Sequence, residues 1–195
     1  CIFPLKESME LEIESRKTNW LLCYWNDSQT PLFMEFLKLF CLAYITHSDV
    51  ALFLVCPETF IPKVHQNFQY LREIYGWDED PLPDIVLIPL IENSYSVFPL
   101  CQLYFDLENP SSYLSSFQIA ALHYGLPILQ LSSFSVEREG FFTLTQRTPV
   151  QFKTELEFLL RPEISQKIQK IYSHLFVRQL CFERLLLKLS SLFVT

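Results

Sequence analysis

Glycine is almost missing from this chain, with three in 195 residues. Gly76, Gly125 and Gly140 stand apart from one another. Phosphate-cradling loops of the Walker or dinucleotide-binding type need clustered glycines, so both are excluded. The six cysteines, Cys1, Cys23, Cys41, Cys56, Cys101 and Cys181, are scattered, with no CxxC pair and no Cys/His cluster. No zinc or other metal is expected from them, and no cofactor. Four lie inside apolar segments, which reads as reduced, buried thiols in a cytoplasmic protein. Positive charge is scarce: 15 Lys and Arg against 22 Asp and Glu leave a net charge of -7. That argues against a nucleic-acid partner, which needs a basic face. The longest apolar run, around Phe36–Ile45, is interrupted by Lys38 and is too short for a transmembrane segment. The opening residues lack the basic-then-apolar pattern of a signal peptide. The chain starts on Cys1 rather than Met, so it is expected to be a fragment or a processed chain. No repeat, linker or low-complexity segment interrupts it.

What is abundant is apolar surface. Half of the residues are hydrophobic and 18 are Phe, enough that part of the surface is expected to meet another domain or subunit. Trp20–Trp25, Val50–Cys56, Ile85–Leu90, Leu103–Leu107 and Pro127–Leu131 read as strands buried on both faces, as parallel strands are. Met9, Leu11 and Ile13 alternate with glutamates as in an edge strand, and Phe141–Leu144 reads as a further short strand. Helices are expected over Leu32–Ile45, Pro62–Tyr75, Tyr95–Gln102, Leu114–Tyr124 and Pro149–Leu160. Two more are expected, one from Pro162 and a last one from about Val177. The helix Leu32–Ile45 carries only Glu35 and Lys38 as charges, so it is either buried or covered by a partner. Alternating strands and helices predict an α/β fold, a parallel sheet with helices on both faces. We expect one domain over 1–195: an opening segment 1–18, a sheet core 19–147 and closing helices 148–195.

Ligands on such sheets bind beyond the carboxyl ends of the strands, here Asn26–Gln29, Pro57–Thr59, Ile91–Ser94, Glu108–Ser112 and Ser132–Ser135. The stretch Ser111–Gln130 stands out. Polar residues precede a short helix, Gly125 suits the left-handed turn that ends it, and Pro127 leads straight into a strand. It reads as a ligand-facing corner or as an ordinary helix–strand turn. Ser111, Ser112, Ser115, Ser116 and Gln118 are the candidate ligand-binding residues, as hydroxyl and amide groups near a helix N-terminus. The same serines serve equally as helix caps. No catalytic residue is assigned. Ser116, His123 and Asp106 can be drawn as a triad, but no G-x-S-x-G elbow exists. His47, His65, His123 and His174 share no spacing. Asp84, ahead of a strand, reads as a turn residue.

This order of parts resembles the C-terminal lobe of GT-B glycosyltransferases over nearly the whole chain, which implies a Rossmann-like fold. The donor-sugar loop of active retaining members reads like E-G-F-G-L-P-x-L-E-A-x-x-x-G-x-P. SYLSSFQIAALHYGLP is similar in its second half, where Ala121 and Gly125-Leu126-Pro127 match. PVQFKTELEFLLRPEISQKIQ and FVRQLCFERLLLKL resemble the closing helices. The resemblance also marks losses. Ser112 and Ala120 fall at the two glutamate positions, Tyr113 and Ser115 at the glycine pair, and Asn26–Thr30 holds Asp27 but no Lys or Arg. A diphosphate beside an acidic loop is poorly held. FPLKESMELEIESR and FQIAALHYGLPILQLSS are similar to segments of the glycosyltransferase-like proteins of the bacterial accessory Sec export system, which keep the lobe without the donor site.

That resemblance implies a catalytically inactive interaction module in a glycoprotein export or glycosylation assembly. Its partners would be other protein subunits, a missing N-terminal lobe, or a glycosylated polypeptide. The alternative is an active GT-B lobe that binds a nucleotide sugar, with its catalytic residues in the missing lobe.

Overall fold

The computed structural model of the chain describes residues 2–4, 19–26, 30–44, 50–76, 84–90, 92–107, 114–131, 140–144 and 147–172. Seven strands are present among them: β1 (Ile2–Pro4), β2 (Asn19–Tyr24), β3 (Val50–Cys56), β4 (Asp84–Pro89), β5 (Leu103–Asp106), β6 (Ile128–Gln130) and β7 (Phe141–Thr143). Helices α1 (Thr30–Tyr44), α2 (Ile61–Tyr75), α3 (Ser116–His123) and α4 (Pro149–Leu159) connect or cover them, with a fifth, α5, over 162–172. The stretch expected as a helix over Tyr95–Gln102 is a 3-10 segment, Glu92–Leu100, with Pro99 inside it. Pro99 has no N–H to give to an α-helical ladder. An edge strand lies at Ile2–Pro4, in register with Ile85–Leu87 of β4. Met9–Ile13 and the helix expected from Val177 lie outside the described residues.

The strands run β1-β4-β3-β2-β5-β6-β7, and every pairing is parallel. From β2 the chain steps outward to β3 and β4, then returns to the other side of β2 as β5. The strand order therefore reverses between β2 and β5. On open α/β sheets the crevice at such a reversal is the usual ligand position.

Side chains alternate between two cores. Leu21, Cys23, Leu52, Leu54, Cys56, Leu103, Phe105 and Leu129 pack with α1, α2 and α4. Leu22, Phe53, Val55, Tyr104 and Ile128 face the 3-10 segment, α3 and α5. This is why the strands read as unbroken apolar runs: both faces are covered. The first core holds a cluster of rings. Phe105 lies 4.6 Å from Phe36 of α1 and 5.5 Å from Phe152 of α4, centroid to centroid. Phe33, Phe36, Leu37, Leu39, Phe40 and Cys41 are all buried, so α1 takes its cover from the chain itself. Of the two readings of this apolar helix, the buried one holds. Glu35 pairs with Arg147, just ahead of α4.

No helix among the described residues is long and apolar enough to cross a membrane. Cys23, Cys41, Cys56 and Cys101 are buried free thiols. Burial pushes each up, Cys41 to about 12 and Cys56 to about 11. The neighbouring Asp106 carboxylate and Cys56 add to the effect of burial at Cys23.

Candidate functional site

The stretch that stood out in the sequence has two ends, and the topology puts them on opposite edges of the sheet. α3 runs from the carboxyl end of β5 back to the amino end of β6. Its N-terminus, with Ser115 and Ser116, therefore lies on the ligand side. The turn Gly125-Leu126-Pro127 lies on the far side, against α5. There Gly125 has φ 72°, and its carbonyl accepts a hydrogen bond from Ser165 Oγ at 3.0 Å. A Cβ on Gly125 would stand 2.9 Å from Gln169 Cβ and 3.2 Å from the Ser165 carbonyl oxygen. Gly125-Leu126-Pro127 here seats a helix, and the ligand-facing expectation is left at the serine end.

At that end the side chains of Ser115 and Gln118 turn toward each other. Ser115 is the N-cap of α3, and its Oγ accepts from the Gln118 N–H at 3.3 Å. Gln118 Oε1 accepts from the Ser115 N–H at 2.9 Å, which completes a capping box. Gln118 Nε2 donates to Asp106 Oδ2 at 2.7 Å, and Gln130 Nε2 donates to the same oxygen at 2.6 Å. Asp106 and Gln130 are register partners and the last residues of their strands. Asp106, Gln118 and Gln130 are the buried polar side chains among the described residues, at 1%, 5% and 2% exposure. Gln130 Oε1 is buried with no hydrogen-bond partner among the described residues.

Of the candidate ligand residues, Ser116 is exposed at the first turn of α3, Ser115 is half-buried, and Gln118 is buried. Ser111 and Ser112 lie outside the described residues. His123 ends α3, two helical turns from Ser116, and its ring lies against Tyr124. The triad drawn from the sequence does not assemble. His65 is exposed on α2, and His47 and His174 lie outside the described residues. Among the described residues no group of His, Cys, Asp and Glu could hold a metal ion.

Sequence reasoning did not single out Gln130, and it met Asp106 only as a triad member. The available signal was a polar residue closing an apolar strand (LYFD, ILQ) at a position whose parity points to the core. Basic groups also arrive from elements other than the loop after β2. Lys63, in the first turn of α2, has its Nζ 5.9 Å from the Trp25 ring centroid at the end of β2. Arg147 meets Glu35 and donates to the Leu131 carbonyl just beyond β6.

No family model matches this sequence, and no curated protein does. Solved structures do match. The C-terminal domain of a group 1 family glycosyl transferase from Francisella tularensis superposes over 81% of this chain and 86% of that domain, with a TM-score of 0.56 and 11% identity. A structure of accessory secretory proteins 1, 2 and 3 from Streptococcus pneumoniae matches 91% of this chain, with a TM-score of 0.58 and 12% identity. The protein HepE of Anabaena, in complex with UDP-glucose, matches 89%, with a TM-score of 0.57 and 14% identity. The present chain spans 34% and 49% of the length of these last two. The chain thus has the fold shared by GT-B glycosyltransferase C-terminal lobes and accessory secretory proteins.

Proposed function

We propose that this chain is a glycosyltransferase-like lobe that transfers no sugar and serves as a cytoplasmic interaction module in a glycoprotein export or glycosylation assembly. The observation that carries this reading is the inward turn of the corner at the sheet's reversal point. Gln118 has both ends of its amide committed to Ser115 and Asp106. Among the described residues the side chain joined to α3 through Gln118 is that of Asp106, where a nucleotide diphosphate would call for a cation. Ser112 and Ala120 at the glutamate positions leave no carboxylate acceptor for donor-sugar hydroxyls at those places. The fold shared with accessory secretory proteins supports the assembly role, with partners that are other protein subunits, a further lobe, or a glycosylated polypeptide. The test is an assay of the full-length protein with a panel of nucleotide sugars. The reading expects no turnover above a blank, and measurable transfer to water or any acceptor sinks it.

A second reading has one observation in its favour, the same fold in a protein bound to UDP-glucose. In that reading this is the donor lobe of an active enzyme, and Ser111, Ser112, Ser115, Ser116 and Gln118 face the nucleotide sugar. It expects saturable binding of a nucleoside diphosphate that weakens at least tenfold in a Ser116→Ala, Gln118→Ala double variant.

A further inference from the structure

We propose that the ring of Tyr24 fills the crevice at the sheet's reversal and keeps a nucleoside diphosphate out of it. This deepens the reading above and rests on it. The crevice lies between the carboxyl ends of β2 and β5, where the strand order turns back. Tyr24 is the last residue of β2. Cys23 is in register with Phe105, which sets Tyr24 beside Asp106 at that edge. Side chains alternate along a strand, so Tyr24 shares the face of Leu22, the one that α3 covers. Its ring lies 4.4 Å from that of Phe117, centroid to centroid, with 11° between the planes. Phe117 is the second residue of α3 and is buried. The rings continue inward, with Phe117 at 5.8 Å from Phe98 and 6.4 Å from Tyr104. The chain's own side chains thus bridge the gap between the end of β2 and the start of α3, and the half-buried Tyr24 stands at its mouth. A ligand entering there must first lift Tyr24, which breaks the stack and uncovers Phe117 to water.

Calorimetric titration of the full chain with UDP, unsubstituted and as Tyr24→Ala, tests this. Alanine removes the ring and keeps the backbone pairing of β2. We expect Tyr24→Ala to bind UDP at least about tenfold more tightly than the unsubstituted chain. Tyr24→Phe keeps the ring and should bind no more tightly than the unsubstituted chain. Should Tyr24→Ala not fold, Tyr24→Thr, whose side chain suits a strand, is expected to show the same gain. A folded Tyr24→Ala or Tyr24→Thr chain without that gain overturns the proposal, as does an equal gain in Tyr24→Phe. Sugar turnover by the unsubstituted protein sinks the non-transferring reading, whereas the proposal fails on the affinity ratio alone.

Discussion

Asp106 Oδ2 gathers the two buried glutamines of the described residues. A buried carboxylate is costly unless it is hydrogen-bonded, and two glutamine amides donate to Asp106 Oδ2 at 2.7 and 2.6 Å. Asp106→Ala would leave both amides buried without an acceptor. We expect a loss of about 2–5 kcal/mol in urea unfolding, with a much smaller loss for Asp106→Asn. The thiols give a second prediction at this scale. Burial raises Cys56 to about 11 and Cys41 to about 12 from an ordinary 9.0. The folded chain therefore holds these protons to higher pH than the unfolded chain does. The stability they protect is complete below pH 9 and is lost as pH rises toward 11 and then 12. Unfolding titrations between pH 8 and 10.5 should show this decline, flattened in Cys41→Ala and Cys56→Ala. Little of this was legible in the sequence. LYFD and ILQ each close an apolar strand with a polar residue, but only the register that sets Asp106 beside Gln130 makes them a pair. Register between strands separated by a helix is a property of the packed sheet.

Elements were far more legible than contacts. VALFLVC reads as a buried strand and is one over the same residues, because an apolar run of seven bounded by Pro57 has few other solutions. Thr148 caps α4 by accepting from the Gln151 N–H, with Pro149 opening the helix, as that pair of residues signals. The turn after α3 admitted two readings from the sequence for a physical reason. Gly125-Leu126-Pro127 looks the same whether it faces a ligand or a helix, and only topology places it on the amino edge of the sheet against α5. Gly76 and Gly125 separate the two demands a glycine can meet. Both are left-handed, at φ 64° and 72°, but a Cβ on Gly76 meets nothing within 4 Å, whereas one on Gly125 meets Gln169 at 2.9 Å. We expect Gly76→Ala to cost about 1 kcal/mol, for the backbone conformation alone. Gly125→Ala should cost at least about 1 kcal/mol more, by displacing α5. Thermal unfolding of the two variants side by side measures the difference.

At the scale of the whole molecule, the apolar residues among the described ones are mostly covered from within. Two cores, one on each face of a seven-stranded sheet, absorb most of the phenylalanines among the described residues, and α1 finds its cover in the chain's own rings. The exposed large hydrophobics, such as Tyr70 and Ile74 on α2 and Val150 and Phe158 on α4, are distributed over separate elements. The case for a non-transferring lobe thus rests on the reversal point between β2 and β5, where the polar groups of α3 are turned toward Asp106. The most direct measurement is calorimetric titration of the chain with UDP-glucose. The account predicts no saturable heat into the millimolar range. A dissociation constant near micromolar, about -8 kcal/mol, would contradict it and make the corner a donor-sugar site.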